Sequence, residues 1–266
     1  MQFFRYAQDY YGDWLKTQLL PETALLVFCL ILLLLGIHRL RRSMGEPVPT
    51  ENDGVAAVSG EKYELGARLY HWGNFVFLVM LAVSGIALLV PRSIRTLFGS
   101  WLLIHEIFSV LYIGGLLVHI FAALKRGEPR TMWFERRDWS DLKIIAANFF
   151  GRSRQYPRFG KYDPLQKIYH AVLTIISAVL VFSGIYLFFS VEAWATFSHE
   201  WLRWQRLLHD LSAVAVVAVI LGHIYFGLIR VNWANLAAII TGKLSASYFR
   251  LRHNANRWKP RRVKGE

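Results

Sequence analysis

His209 and His223 stand fourteen residues apart in an apolar run, Leu207–Ile229. Fourteen residues turn a helix through about 1400°, some 40° short of four turns, so both imidazoles leave one helix face, roughly 21 Å apart along its axis. Ionisable side chains in a hydrophobic span are costly and functional by default. Imidazoles at two depths suit two stacked haems, each taking one axial nitrogen from this helix. Two such ligands leave no open coordination position, so the irons would carry electrons rather than bind oxygen. His105 opens another apolar run, Leu102–Leu124, at the depth of His209, and the two are expected to pair. For His223 three histidines lie at matching depth: His71, His119 and His170. Gly85, Gly114, Gly115, Gly184 and Gly222 would let a flat macrocycle approach the helices. A lone histidine at a span end is more often interfacial, and glycine is common in membrane helices; the repetition described next weighs against that reading. His38, His199 and His253 fall outside the pattern and read as interfacial or solvated. Two histidines at one depth, without cysteine or paired carboxylates, make a poor zinc or copper site.

The elements carrying these residues form an internal repeat. Tyr70-His71 precedes Ser84-Gly85-Ile86 as Tyr169-His170 precedes Ser183-Gly184-Ile185, with a His-to-Ser spacing of 13 in both. His105 and His119 are separated by 14 residues, as His209 and His223 are. The chain reads as a duplicated helical hairpin, Leu69–Leu124 and Ile168–Ile229, with its copies parallel and related by a pseudo-twofold axis along the membrane normal.

Composition supports a membrane setting. Of 266 residues, 55% are hydrophobic and 18% charged, yet the formal net charge is +13. Such a chain is neither disordered nor an ordinary soluble enzyme. Five apolar segments are expected as spans: Thr23–His38, Leu69–Val90, Leu102–Leu124, Ile168–Ser190 and Leu207–Ile229. The first is short. Acidic residues precede it and Arg39, Arg41 and Arg42 follow it, the reverse of a secretory signal, so it reads as an N-out anchor. Segments 39–68, 125–167 and 230–266 hold 25 of the 31 Lys and Arg, which places them in the cytoplasm and the N-terminus in the periplasm. Trp72, Trp101, Trp201, Trp204 and Trp233 fall near span ends, as interfacial anchors do. The topology accounts for the basic segment Arg250–Lys264 without nucleic acid. The one cysteine, Cys29, excludes an intrachain disulfide, and no C-x-x-C-H motif is present for covalent haem attachment.

At this point the chain resembles the gamma (cytochrome b) subunit of membrane-bound formate dehydrogenases, within the bacterial two-haem cytochrome b superfamily that also serves hydrogenases and thiosulfate reductases. Carrying the resemblance are Leu69-Tyr-His71-Trp72 with Ser84-Gly85-Ile86, Leu103-Ile-His105, Gly160-Lys-Tyr-Asp-Pro-Leu-Gln-Lys167, Leu208-His209 with His223, and Thr241-Gly242-Lys243-Leu-Ser245, over about Tyr63 to Pro260. The resemblance implies an all-α, integral membrane four-helix haem-binding bundle over 69–231. It would follow an N-terminal segment with an extra transmembrane helix (1–45) and a cytoplasmic linker (46–68), and precede a basic cytoplasmic tail (232–266). It implies two haem b groups, one between His105 and His209 and one between His71 and His223. It also implies a quinone pocket, for menaquinone or ubiquinone, beside Asp163 and Gln166. The family commonly has Asn where Asp163 stands. In a symmetric scheme His119 would replace His71 as the partner of His223. Asp163 ahead of Pro164 is equally an N-cap or turn residue. The expected partners are periplasmic iron–sulfur and catalytic subunits, and the expected place is the bacterial inner membrane. Hydrogenase, sulfur-compound or multihaem cytochrome partners are alternatives. From other classes, so are a haem-free membrane anchor and a proton-coupled transporter using the histidines and Asp210.

Overall fold

The computed structural model describes residues 20–42, 48–49, 60–89, 100–150, 152, 155–191, 199–229 and 232–261. The side chains of His38 and His199, and most of the expected linker, lie outside the described residues. The elements in chain order are α1 (Leu20–Arg42), β1 (Val48–Pro49), β2 (Gly60–Glu61), α2 (Leu65–Leu89), α3 (Trp101–Arg126), α4 (Pro129–Met132), α5 (Arg136–Phe149), β3 (Gln155–Tyr156), α6 (Pro164–Val191), α7 (His199–Leu228), α8 (Trp233–Thr241), β4 (Lys243–Leu244) and α9 (Ala246–Arg252).

Among the described residues, four helices are long and apolar enough to cross a bilayer: Leu65–Leu88, Trp101–Arg126, Pro164–Phe189 and Glu200–Leu228. Each overlaps one of the four long expected spans and begins one to seven residues before it; Trp101–Arg126 contains its expected span whole, and the other three stop one or two residues short of the expected end. Their large side chains are widely exposed, among them Val110, Phe121 and Ile175, as a lipid-facing surface requires when all backbone polar groups are satisfied within helices. In α1 the apolar stretch is Leu26–Ile37, shorter than the others.

The chain divides into two compact units, and each long helix contributes a stretch to both. The first unit comprises residues 1–33, 76–113 and 172–222. Its interior holds Leu78, Tyr112 and Val216, and the Tyr112 hydroxyl donates to Ser177 Oγ at 2.7 Å. Pairing the two hydroxyls removes the cost of a phenol in an apolar interior.

The second unit comprises residues 34–75, 114–171 and 223–266. Here the chain folds further than a basic tail would. Ala238, Leu244, Tyr248, Phe249 and Ala255 form a buried cluster, with Tyr63, Ala234 and Trp258 packed against it. α8 ends at Gly242, whose φ of 86° is the left-handed conformation that glycine adopts most freely. The Gly242 carbonyl then accepts from Lys62 N at 2.8 Å and Tyr63 N at 3.3 Å, where β2 pairs antiparallel with β4. This explains the Thr241-Gly242-Lys243 signature. Glu135 and Asp138 form a reciprocal capping box at the start of α5. The Asp138 carboxylate also accepts from Lys167 Nζ at 2.7 Å, with both side chains buried, and Arg257 lies 3.7 Å away. The segment between the hairpins is thus bound to the start of α6 and to the C-terminal segment by paired charges. Trp133 just after α4, Trp139 on α5 and Phe150 just after α5 are exposed, suited to a membrane–water interface.

Candidate functional site: histidine pairs and a buried polar chamber

α3 presents His105 and α7 presents His209, with ring centroids 6.2 Å apart. α2 presents His71, whose centroid lies 6.1 Å from that of His223 on α7. Each pair lies within one unit. A metal ion that takes one nitrogen from each ring at about 2 Å sets the centroids roughly 6 Å apart, so both pairs have the spacing for an axially ligated iron. His119 stacks on Tyr70 at 3.9 Å and 7°, as His223 stacks on Tyr169 at 4.7 Å and 20°. The repeat therefore reproduces the tyrosine–histidine stack in both copies. His170 is close enough to His119 to interact with it electrostatically.

Serines of the repeated signature meet the first pair. Ser84 Oγ lies 2.9 Å from His105 Nδ1, and Ser183 Oγ lies 3.0 Å from His209 Nδ1. The adjoining glycines face the same rings. A Cβ on Gly85 would lie 3.6 Å from His105 Cε1, and one on Gly184 would lie 3.2 Å from His209 Cε1. These two glycines were expected to admit a macrocycle; here they admit the rings of His105 and His209. Gly114 and Gly222 have open space within 4 Å. The contrast yields a prediction. Gly85→Ala makes an ordinary contact and retains the wild-type spectrum. Gly184→Ala pushes the His209 ring, costs about 1–3 kcal/mol as overpacking does, and shifts the spectrum of a haem bound there. Thermal unfolding and low-temperature absorption distinguish the two.

Asp163 and Gln166 stand at the start of α6 as an N-terminal box. Asp163 Oδ1 accepts from Gln166 N at 2.8 Å, and Gln166 Oε1 accepts from Asp163 N at 3.1 Å. The capping role anticipated for Asp163 is therefore present, and Pro164 occupies the position where its missing N–H costs nothing. Both side chains also line a small chamber with Lys62, Phe159, Asn232, Asn235, Tyr248, Arg252 and His253. Burial raises the Asp163 carboxyl above the usual carboxylate range, opposed by the cap from Gln166 and by Arg252 and Lys62.

His253 corrects the expectation of an interfacial or solvated residue: it is 5% exposed. Its Nδ1 lies 2.7 Å from the Gly160 carbonyl, which can only accept, so Nδ1 carries the proton. Nε2 is then the acceptor for Lys62 Nζ at 3.5 Å, while Lys62 also donates to Asn235 Oδ1 at 2.8 Å. Burial, then the Lys62 charge, holds His253 down at about 3. Burial brings Lys62 from 10.5 to about 7, with Asp163 pulling upward and Lys161 adding to the fall. Below its ordinary value, this lysine leaves the folded chain with fewer protons than the unfolded one between about 7 and 10.5. Stability then rises with pH across that window, and the penalty is complete below it. Lys62→Met is expected to flatten this slope in unfolding measured from pH 6 to 10.

Residues 62–242 match the family described as prokaryotic cytochrome b561, more than half of the chain. The chain belongs to that family. As a prokaryotic cytochrome b561 it is a multi-pass inner-membrane protein with haem b as its cofactor. Similar proteins include the formate dehydrogenase cytochrome b556(fdo) subunit of Escherichia coli K12, 24% identical over 202 residues covering 72% of this chain and 89% of that one. Another is the putative cytochrome YdhU of the same strain, 23% identical over 202 residues covering 73% and 76%. Lys62, Tyr248, Arg252 and His253 of this cytochrome escaped sequence reasoning because their partners are distant in the chain. The one visible signal was the pairing of the Gly160–Lys167 and Thr241–Ser245 signatures with a nearby histidine.

Proposed function

We propose that this cytochrome is the electron-transfer subunit of a respiratory oxidoreductase, with one haem b held by His105 and His209, a second by His71 and His223, and quinone reduced beside Asp163 and Gln166. The observation that carries the proposal is the approach of two histidine pairs to 6.2 and 6.1 Å, both completed by α7. Bound haem b supplies one-electron transfer. The chain's own residues hold the iron with neutral imidazoles, exclude water with apolar helices and supply protons. Asp163, raised by burial, and Lys62, near neutrality, are suited to hold protons next to a quinone. Residues 69–231 form the haem-binding bundle, α1 is an additional span, and the basic segments face the cytoplasm.

Electrons then enter from a periplasmic partner at the His105–His209 pair and leave to menaquinone or ubiquinone near the cytoplasmic face. The name of the formate dehydrogenase cytochrome subunit supports catalytic and iron–sulfur subunits of that enzyme as the partner. Purified protein is expected to give reduced b-type bands and a pyridine haemochrome of about two haems per chain. A preparation without haem sinks the proposal. A quinone analogue is expected to shift one haem signal in the wild type and to bind more weakly to Asp163→Leu. No shift in either protein removes the quinone assignment.

A further inference from the structure

Each ring of the His105–His209 pair is met by a serine from the repeated Ser-Gly-Ile signature, and both serines are 0% exposed. A hydroxyl has one proton to give. Ser84 donates toward the Met80 carbonyl at 2.7 Å, with Leu81 O at 3.2 Å. Ser183 donates toward the Val179 carbonyl at 2.6 Å, with Leu180 O at 3.3 Å. Carbonyls accept only, so toward the imidazole each serine has lone pairs to offer. Nδ1 of His105 and of His209 must then carry the proton, which leaves Nε2 unprotonated on the far side of each ring. Back-bonding to the preceding turn is a common way to hide a helical serine and would alone need no ring contact. Here the same trio of serine, following glycine and neighbouring imidazole occurs in both halves of the repeat. The other pair is held differently. Among the described residues no hydrogen bond reaches the ring of His71 or His223, which meet Trp72 and Tyr169 instead.

We propose that Ser84 and Ser183 are positioning residues that fix the Nδ1–H tautomer and ring plane of His105 and His209, present both Nε2 atoms to one haem iron, and lower the potential of that haem relative to an unanchored ligand pair. The inference rests on the haem-ligand reading above. A hydrogen bond accepted from Nδ1–H makes the imidazole a stronger donor to the metal, which favours the oxidised iron. Deleting the serine oxygens raises the potential.

The test uses the full-length purified chain with Ser84→Ala, Ser183→Ala and both together, read by redox titration and low-temperature electron paramagnetic resonance. The haem of the other pair is identified as the one lost in His223→Ala. In the double variant, the His105–His209 haem is expected to change its oxidised-to-reduced ratio at fixed ambient potential by about tenfold toward reduced, or 59 mV for one electron, with an altered ferric signal. The other haem keeps its potential. Ser84→Thr and Ser183→Thr retain the hydroxyl and the wild-type values. A double variant with full haem and unchanged potentials overturns the proposal. So does haem loss in the alanine variants that threonine fails to restore, which assigns the serines to packing; restoration by threonine supports it. Wild-type protein devoid of haem overturns the ligand reading itself, a result distinct from haem-loaded protein indifferent to the serines.

Discussion

His223→Ala protein is expected to carry about one haem per chain where the wild type carries about two, to keep the His105–His209 haem, and to lose quinone reduction. His223 lies 6.1 Å from His71 between ring centroids, so one truncation removes half of the pair proposed to hold that haem. His71→Ala should reproduce this loss. His119→Ala should leave the count unchanged, because the ring that approaches His223 to 6.1 Å is that of His71. The reverse pattern, with haem lost in His119→Ala and kept in His71→Ala, would show that the symmetric pairing holds. Pyridine haemochrome and reduced-minus-oxidised spectra decide the matter.

The second large effect concerns stability. Lys167 and Asp138 are 5% and 1% exposed and meet at 2.7 Å. Deleting one member of such a pair strands a buried charge, which costs about 3–5 kcal/mol. Lys167→Met is expected to show that loss in denaturant unfolding in detergent. Asp138→Asn should lose less, because an amide oxygen can still serve the capping contact to Glu135 N, now 2.7 Å long. The double variant Lys167→Met/Asp138→Leu should recover part of the loss but not all, since Arg257 and the cap lose their acceptor as well. Equal stability of Lys167→Met and wild type would mean that water reaches this pair.

The spans, and the placing of His209 and His223 on one helix face, were legible because their signals are local and periodic, whereas depth alone left His71, His119 and His170 open as the neighbour of His223. Long apolar runs announce helices, and a fourteen-residue interval places two imidazoles on one face whatever surrounds them. Residues 232–261 were not legible in the same way. Their basic and polar side chains resemble a solvated tail, yet His253 is buried by a contact with Gly160, 93 residues earlier, and Lys62 by one with Asn235, 173 residues later. Charge patterning cannot report such partners. Asp163 and Gln166 fall between these cases. Their spacing around Pro164 announces a cap, and the structure shows it, whereas the chamber behind them is assembled from three distant segments. Ser84 and Ser183 marked the repeat in the sequence, but only the neighbouring helices reveal what their hydroxyls touch.

α7 completes both histidine pairs and is the last of the four long helices to be synthesised. Until it has entered the bilayer, His71 and His105 have no counterpart. On the proposed ligand assignment neither haem could be held before α7 is in place, so a chain truncated ahead of α7 is expected to stay colourless.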